Sequence, residues 1–306
     1  MKKKFVKRIY VSDKIYRSLI IKHDKKLILN EKIENYFNKL IIKCKNFLDK
    51  NNEIKALIVS LHPRHIKQNK INPLLISKLT ILMSNLIGEP LIQNSEKEKY
   101  IKVYDRSRKL SMHKGARYHQ TREGGSIHTD NVNITEHWDY LMFSCLSKAE
   151  VGGETILVNS NEVYDLLNKN FKFAKKILSQ NFFWEKRGVD TSLYKAPIIK
   201  KINDFVKFRY LRPYLESAHL KAKKPLTKNQ LYALDVLDAI LESSALQYRF
   251  NMEKGDILFN LDSEVLHGRT SFSDNLNSLP LDKISNKNQH RLKRTMLRIW
   301  IKNHSL

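Results

Sequence analysis

Hydrophobic positions recur at three- and four-residue steps in several parts of the chain, which is the period of an amphipathic helix. This period predicts a helix over residues 30–48. It predicts another over residues 74–87, where an Asn-Pro pair supplies the N-terminal cap and a glycine follows the last turn. Residues 161–169 and 171–179 also fit helices, and a capping box opens a further helix over residues 227–245. Each of these helices needs an apolar surface to cover.

Short apolar runs bounded by turn residues predict many β-strands. These runs are residues 56–61, 100–104, 140–146, 155–158, 182–186, 198–201, 206–211, 246–250, 257–259, 264–267 and 295–301. Residues 1–29 alternate basic and apolar side chains and are predicted to form one or two edge strands. Helices outside many short antiparallel strands are typical of a double-sheet jelly roll around a central pocket. We therefore expect a mainly β fold with flanking helices, in one domain over residues 1–306 whose helix-rich N-terminal part is residues 1–105.

A candidate metal site begins at His128 and Asp130. Residues two apart on a strand point to the same side, so this imidazole and carboxylate can bind one ion. His267 could supply a third ligand, and two imidazoles with one carboxylate on one side of an ion form the facial triad of non-haem Fe(II) oxygenases. The same spacing recurs at His137 and Asp139. We favour the first pair, because a diglycine just before it lets backbone approach a ligand closely.

Four sequence blocks resemble a known family. They are Ile127-His128-Thr129-Asp130, the run from Phe143 to Thr155, Gly255-Asp256-Ile257-Leu258-Phe259-Asn260, and the run from Leu266 to Phe272. In this order they resemble the taurine dioxygenase (TauD/TfdA) and clavaminate synthase-like superfamily of Fe(II)- and 2-oxoglutarate-dependent oxygenases. The resemblance extends over residues 115–301, and several blocks in order are more specific than any single motif. It implies a double-stranded β-helix, the cupin-like form of the jelly roll.

The resemblance also implies roles for the residues that match the family's motifs. It assigns His128, Asp130 and His267 as the ligands of Fe(II). It assigns Arg294 to the distal carboxylate of 2-oxoglutarate with help from Thr155, and a guanidinium fork suits that task because it makes two parallel hydrogen bonds. Fe(II), 2-oxoglutarate and O2 are therefore the expected cofactor and co-substrates.

Three further residues are expected to contact the substrate. Arg298 lies four residues after Arg294 on the same face of a predicted strand, and in the family a second arginine at this spacing often faces the substrate. Arg122 and Asn131, on either side of the metal pair, could reach a substrate above the metal. Residues 271–291 form an insertion loop that is long for the family, which leaves the register of the two arginines open.

The expected reaction is hydroxylation of an unactivated C–H bond in a small-molecule substrate, with conversion of 2-oxoglutarate to succinate and CO2. Asp130 argues against halogenation, because a halogenase of this kind has a small residue at that position. Desaturation and ring closure stay open, as does the substrate, since specificity in such a scaffold lies in loops. A zinc hydrolase with the same three ligands is an alternative, but it would not call for Arg294 and Thr155.

Net charge is the most unusual global property, since 56 Lys and Arg against 31 Asp and Glu give +25. Such a charge attracts anions and favours an anionic or amino-acid-like substrate. It also leaves open a basic protein that binds nucleic acid, or an oxygenase that acts on nucleic acid. The lysines are scattered rather than clustered among aromatic residues, which makes nucleic acid the less favoured partner. A homo-oligomer is compatible with the sequence.

The compartment is inferred from cysteine use and from apolar runs. Cys44 and Cys145 lie among apolar neighbours and fit reduced thiols better than a disulfide framework. The basic N-terminus is not followed by the apolar core of a signal peptide, and no uncharged run reaches the length of about 18 residues that suggests a membrane-spanning helix. We therefore expect a cytoplasmic protein without membrane contact.

Overall fold

The structure of the protein is a computed structural model. It describes residues 5–21, 31–48, 53–66, 70–106, 116, 118–130, 132, 135, 138–186, 190, 192–203, 205–283 and 292–303. These residues form seven α-helices, which are α1 (Asp13–Ile21), α2 (Glu31–Phe47), α3 (Pro73–Ile87), α4 (Ser160–Asn170), α5 (Lys172–Leu178), α6 (Arg212–Lys221) and α7 (Lys228–Glu242).

The described residues also form many short strands. The strands are β1 (Val6–Tyr10), β2 (Ala56–Ser60), β3 (Gly88–Pro90), β4 (Ile101–Val103), β5 (Gly125–His128), β6 (Tyr140–Ser147), β7 (Val151–Gly152), β8 (Thr155–Asn159), β9 (Asn181–Glu185), β10 (Leu193–Pro197), β11 (Ile199–Ile202), β12 (Phe205–Phe208), β13 (Gln247–Phe250), β14 (Asp256–Leu261), β15 (Val265–Arg269), β16 (Phe272–Ser273) and β17 (Thr295–Asn303).

Two sheets carry the architecture. The major sheet has the order β1-β2-β14-β6-β17-β3, and β4 also pairs with β17. Strand β1 runs parallel to β2, and the other pairs of this sheet are antiparallel. The minor sheet has the order β13-β8-β15-β5 and is antiparallel throughout. Three separate two-stranded pairs, β9 with β10, β11 with β12 and β7 with β16, lie outside these sheets.

Strand register determines which side chains lie between the two sheets. Arg298 is paired with Phe143, and Phe143 with Leu258, so these three side chains share one face of the major sheet. His267 and Leu157 are paired in the minor sheet and share a face in the same way. Leu157 and Leu258 belong to one buried cluster, so these faces meet in a common interior. Among the described residues, no strand pairing closes the two sheets into one barrel.

Helices cover the outer faces of both sheets. Helices α1 to α3 pack on the major sheet in one hydrophobic cluster, in which Phe37 of α2 and Phe259 of β14 are at most 1% exposed. Helices α4 to α7 pack beside the minor sheet in another cluster, where Leu234 of α7 and Leu266 of β15 are fully buried. The interior that holds the polar candidate residues is therefore shielded on both sides by apolar layers.

Most predicted helices and strands are confirmed to within a few residues. Asn72 caps α3 by accepting a hydrogen bond from the backbone N–H of Leu74 at 2.8 Å, as the Asn-Pro pair predicted. Thr227 and Gln230 make both hydrogen bonds of the capping box that begins α7. Local sequence determined these helix starts, because each cap depends only on residues a few positions apart.

Several elements differ from the prediction, among them the short strands β3, β7 and β16. Residues 13–21 form helix α1 where edge strands were predicted, and the buried positions Ile15, Tyr16 and Leu19 have the helical spacing that the alternation of basic and apolar residues hid. Helix α6 and strand β10 were not predicted either. The exposed Leu220 interrupts the apolar pattern of α6, and β10 has no fully buried residue, so neither leaves a clear periodic signal.

The N-terminal part of the chain is built into the same architecture. Strands β1, β2, β3 and β4 all pair within the major sheet. Residues 271–283 contain the short strand β16, which pairs with β7, and a 3-10 turn at Leu281–Lys283. Within the described part of the chain, no helix is both long enough and apolar enough to cross a membrane.

Candidate active site

His128 and His267 meet across the pair formed by β5 and β15. They are directly opposite in register, and their ring centroids lie 4.5 Å apart. The Nδ1–H of His128 donates to the carbonyl oxygen of Ser126 at 2.7 Å. Because a carbonyl oxygen can only accept, this bond places the ring proton on Nδ1 and leaves the lone pair of Nε2 for a metal ion. Ser126 has a φ of +41°, an uncommon conformation for a residue with a side chain.

Asp130 follows β5 and turns one carboxylate oxygen toward the two imidazoles. Its Oδ1 lies 3.6 Å from Nε2 of His128 and 3.8 Å from Nε2 of His267. Its Oδ2 accepts hydrogen bonds from Nη1 of Arg298 and from Nε1 of Trp300, both at 3.0 Å. Burial alone would raise the pKa of the Asp130 carboxyl, but the Arg298 guanidinium holds it well below its usual range. The carboxylate is therefore ionised and ready to bind a cation.

His267 is kept neutral by its surroundings. Burial and the neighbouring His128 ring lower the pKa of His267 to about 3, against the opposing charge of Asp130. The ring contacts His128 on one side and Phe143 on the other, with a centroid distance of 5.6 Å to Phe143. A neutral imidazole keeps the lone pair that metal binding requires. Its Nδ1 is buried and has no hydrogen-bond partner among the described residues.

The three side chains form a compact set of ligand atoms. One ligand atom from each of His128, Asp130 and His267 can be chosen so that all lie within 4.8 Å of one another, and the three residues are 3%, 6% and 7% exposed. Two imidazoles and one carboxylate form a ligand set that suits Fe(II). The residues present therefore fit a metal ion of this kind. Among the described residues, this is the one such cluster of metal-type ligands.

A cavity between the sheets joins this cluster to other polar groups predicted from the sequence. Its polar lining includes Thr155 of β8, Arg294 just before β17 and Arg298 within β17. Its apolar lining includes Val103, Phe143, Met252, Leu258 and Met296. The three metal-type ligands and the guanidinium groups of Arg294 and Arg298 therefore line one cavity.

Arg294 is a buried cation that has no hydrogen-bonding anion within the described part of the chain. It is 6% exposed, and its guanidinium has no hydrogen-bond acceptor or ion-pair partner among the described residues, although it lies over the ring of Phe272 at 5.0 Å. Burial and the nearby Arg269 lower its pKa to about 10, so it still carries its charge at neutral pH. A buried unpaired charge is costly, which indicates that the cavity is built to receive an anion.

Glycine is required beside Arg294. A Cβ atom on Gly153 would lie 2.8 Å from Nε of Arg294, and Gly153 has a φ of +74°. The backbone N–H of Arg294 donates to Oδ1 of Asp274 at 2.8 Å. Gly153 and Asp274 thus fix the start of β17. The side chain of Arg294 lies against the backbone of Gly153.

The structure brings some of the predicted substrate residues to the site and leaves others apart. Arg298 lines the cavity, but its Nη1 binds Asp130 and its Nε binds Oε1 of Gln93 at 2.9 Å, while its buried Nη2 has no partner among the described residues. Arg122 is half-buried and is not among the described lining residues of the cavity. Asn131 lies outside the described residues.

The rival pair of metal ligands has other contacts. His137 lies outside the described residues, and Oδ2 of Asp139 accepts the backbone N–H of Asn303 at 2.9 Å and lies 3.6 Å from Nζ of Lys302. Asp139 therefore binds the end of β17.

Two residues that hold the site were missed in the sequence. Nε1 of Trp300 donates a hydrogen bond to Asp130, and Oε1 of Gln93 accepts one from Nε of Arg298. A signal for Trp300 was present, because it lies two residues after Arg298 on the same strand and must point to the same face. Gln93 lies in a loop far away in sequence, where no local pattern reveals its partner.

Comparison with known proteins identifies the class of this fold and site. The model of the taurine catabolism dioxygenase TauD, TfdA family matches residues 80–300. The chain belongs to this family, as its four sequence blocks predicted. A curated relative, the taurine hydroxylase-like protein SAT17 of Stachybotrys chartarum, is 26% identical over 150 residues. That match covers 48% of this chain and 37% of the relative, so the chain spans well under half the length of that protein.

Solved structures share the fold over nearly the whole chain. Asparagine oxygenase in complex with Fe(II), 2S,3S-3-hydroxyasparagine and succinate is 13% identical, with a TM-score of 0.65 and coverage of 96% of this chain and 93% of that one. The non-haem iron oxygenase OrfP in complex with Fe and alpha-ketoglutaric acid is 12% identical, with a TM-score of 0.58 and coverage of 97% and 94%. The predicted jelly-roll fold with flanking helices is confirmed.

Proposed function

We propose that the protein is an Fe(II)- and 2-oxoglutarate-dependent oxygenase that hydroxylates an unactivated C–H bond of a small molecule and releases succinate and CO2. The observation that carries this proposal is Arg294. Its buried guanidinium, which has no acceptor among the residues that the structure describes, lines the same cavity as two imidazoles and a carboxylate grouped for a metal. A zinc hydrolase needs the ligand cluster but has no use for the buried cation, so the combination favours a dicarboxylate co-substrate.

In this proposal His128, Asp130 and His267 hold Fe(II). The carbonyl of Ser126 orients His128, and the two donors on Oδ2 of Asp130 leave Oδ1 for the metal. When bound, Fe(II) with 2-oxoglutarate supplies the means to activate O2 for attack on a C–H bond. The protein's part is to hold three ligands on one side and to keep the remaining positions accessible from the cavity.

Arg294 and Thr155 are proposed to bind the distal carboxylate of 2-oxoglutarate. Arg294 offers a planar fork of donors, and Thr155 on the neighbouring β8 lines the same cavity with a hydroxyl. The apolar lining around them excludes water, which strengthens a charge-assisted hydrogen bond.

The substrate is proposed to be a small anionic or amino-acid-like molecule. Support comes from the net charge of +25, which concentrates anions, and from the similar oxygenases whose complexes hold hydroxyasparagine or hydroxy-arginine. Arg298, Arg122 and Asn131 remain the proposed substrate contacts, and the unpartnered Nη2 of Arg298 is the best placed donor among them. The chain is proposed to act as one domain over residues 1–306, with residues 271–291 as an insertion loop.

An anaerobic titration tests the proposal. Addition of Fe(II) and then 2-oxoglutarate to the protein should produce the weak visible charge-transfer band of a keto acid chelated to iron. His267→Ala should abolish the band, whereas Arg249→Ala, a substitution outside the described cavity lining, should leave it unchanged. Absence of the band in the unaltered protein, with Fe(II) shown to be bound, would contradict the proposal and favour the hydrolase alternative.

A further inference from the structure

We infer that Trp300 is a positioning residue for the metal: its indole N–H, together with Arg298, holds one oxygen of Asp130 so that the other oxygen alone faces the two imidazoles. This inference rests on the proposed function, since it concerns how one of the proposed ligands is presented to the metal.

The two carboxylate oxygens of Asp130 have different partners. Oδ2 accepts from Nε1 of Trp300 and from Nη1 of Arg298, both at 3.0 Å, while Oδ1 is the oxygen nearest His128 and His267. A carboxylate that bound the metal through both oxygens would occupy a position that the co-substrates need. Two donors on Oδ2 compete with the metal for that oxygen and so favour binding through Oδ1 alone.

Strand geometry explains why these two donors act together. Arg298 and Trp300 are two residues apart on β17, so both side chains point into the interior of the sandwich. Asp130 is 6% exposed and Trp300 is fully buried, so no bulk water is available to replace the indole N–H. Loss of this one donor would leave Oδ2 with a single hydrogen bond in a dry interior.

The indole itself is fixed by a second tryptophan. Trp138 stacks on Trp300 with a centroid distance of 4.0 Å and an angle of 13° between the ring planes. Asp130 and Trp138 are eight residues apart in the chain after β5. The indole of Trp300 contacts both, through a hydrogen bond to Asp130 and by stacking on Trp138. Nε1 of Trp138 is buried and has no hydrogen-bond acceptor among the described residues. The two stacked indoles therefore differ in one respect that matters here, which is the acceptor of their N–H.

This difference supplies a matched pair of variants. Trp300→Phe removes the N–H that binds Asp130, and Trp138→Phe removes an N–H that has no acceptor among the described residues. Both changes keep an aromatic ring in the stack. The probe is Co(II) alone, followed by its visible spectrum and by equilibrium titration. Trp300→Phe should raise the Kd for Co(II) by about 10- to 100-fold, the usual effect of losing a partner that orients a metal ligand. It should also change the Co(II) spectrum, because Oδ2 of Asp130 keeps only the donor from Arg298, so hydrogen bonding competes less strongly with metal binding there. Trp138→Phe should leave both unchanged.

Three results would overturn the inference. An unchanged Kd in Trp300→Phe would show that the indole N–H does not position Asp130. An equal rise in both variants would assign the effect to the stack instead. If the unaltered protein bound no Co(II), both this inference and the proposed function would be refuted. If Trp300→Phe bound Co(II) as tightly as the unaltered protein, only this inference would be refuted.

A measurement on the unaltered protein covers the case in which Trp300→Phe does not fold. In protein labelled with 15N at tryptophan, the indole N–H signals of Trp138, Trp184 and Trp300 can be followed during addition of Zn(II). Trp184 donates to the carbonyl of Ala196 at 3.0 Å and serves as an internal reference. The Trp300 signal should shift as Asp130 gives electron density to the metal, and the Trp184 signal should stay in place. A Trp300 signal that does not move during stoichiometric Zn(II) binding would refute the inference.

Discussion

Replacement of Arg294 by alanine is the perturbation that the structure makes most informative. In the protein without ligand, the guanidinium is buried beside Arg269 and has no acceptor among the described residues. Its removal therefore takes away an unfavourable charge together with a contact to the ring of Phe272, and we expect the first effect to be the larger. We expect Arg294→Ala to fold, and to be at least as stable to heat as the unaltered protein when no ligand is present.

The same change should be costly once 2-oxoglutarate binds. A hydrogen bond to a charged group contributes about 1.5 to 3 kcal/mol, so loss of two parallel bonds from the fork should cost about 3 kcal/mol or more. At about 1.4 kcal/mol per factor of ten, this corresponds to a rise in Kd for 2-oxoglutarate on the order of 100-fold. Lysine at this position should restore only part of the affinity, because a single ammonium group cannot reproduce the planar fork.

The assay is anaerobic titration of the Fe(II)-loaded protein with 2-oxoglutarate, followed by the chelate band, with thermal unfolding measured in parallel. Arg298→Ala should leave the Kd for 2-oxoglutarate within a few-fold of the original. Normal binding by Arg294→Ala together with lost binding in Arg298→Ala or Arg291→Ala would show that the insertion has shifted the register and that the assignment is wrong.

Four further outcomes are expected. His267→Ala should lose bound Fe(II), measured by metal analysis, while its circular dichroism stays unchanged. The substrate KM should rise between 0.1 M and 1 M salt, because the Debye length falls from about 10 Å to about 3 Å, and an indifferent KM would remove the case for an anionic substrate. Burial lowers the pKa of His219, whose Nε2 accepts the backbone N–H of Phe183 at 3.1 Å. The unfolded chain therefore takes up a proton at a higher pH than the folded protein does, and the free energy of unfolding in urea should fall as pH drops below about 6.5. His219→Gln should weaken that dependence. Glu264→Ala should lower the free energy of unfolding by about 3 to 5 kcal/mol, because it leaves Lys55 buried without the partner that lies 2.8 Å away, and Lys55→Met combined with Glu264→Leu should cost much less.

The parts of the site that the sequence could predict are those that depend on local spacing. His128 and Asp130 are separated by one residue at the end of a strand, so their meeting needs little more than strand geometry. The shared face of Arg298 and Met296 follows from the same period, and both line the cavity. The motif order of the family then places His267 opposite His128 without knowledge of the sheet.

Contacts between distant segments could not be predicted in this way. Two donor nitrogens of Arg298 bind Asp130 and Gln93, because β17 lies in the sheet that faces β5, and its proposed contact with the substrate stays a prediction. The bond from Trp300 to Asp130 depends on the same packing of one sheet over the other. Helix α1 was misread for a different reason, since the helical spacing of Ile15, Tyr16 and Leu19 is present in the sequence but is obscured by the alternation of basic and apolar residues.

A crystal structure of the protein grown anaerobically with Fe(II) and 2-oxoglutarate tests the central claim most directly. We predict one metal ion bound by Nε2 of His128, Oδ1 of Asp130 and Nε2 of His267, with the keto acid on the same ion and the distal carboxylate against Arg294. A metal held by other residues, or a distal carboxylate of 2-oxoglutarate that does not contact Arg294, would contradict the proposed function.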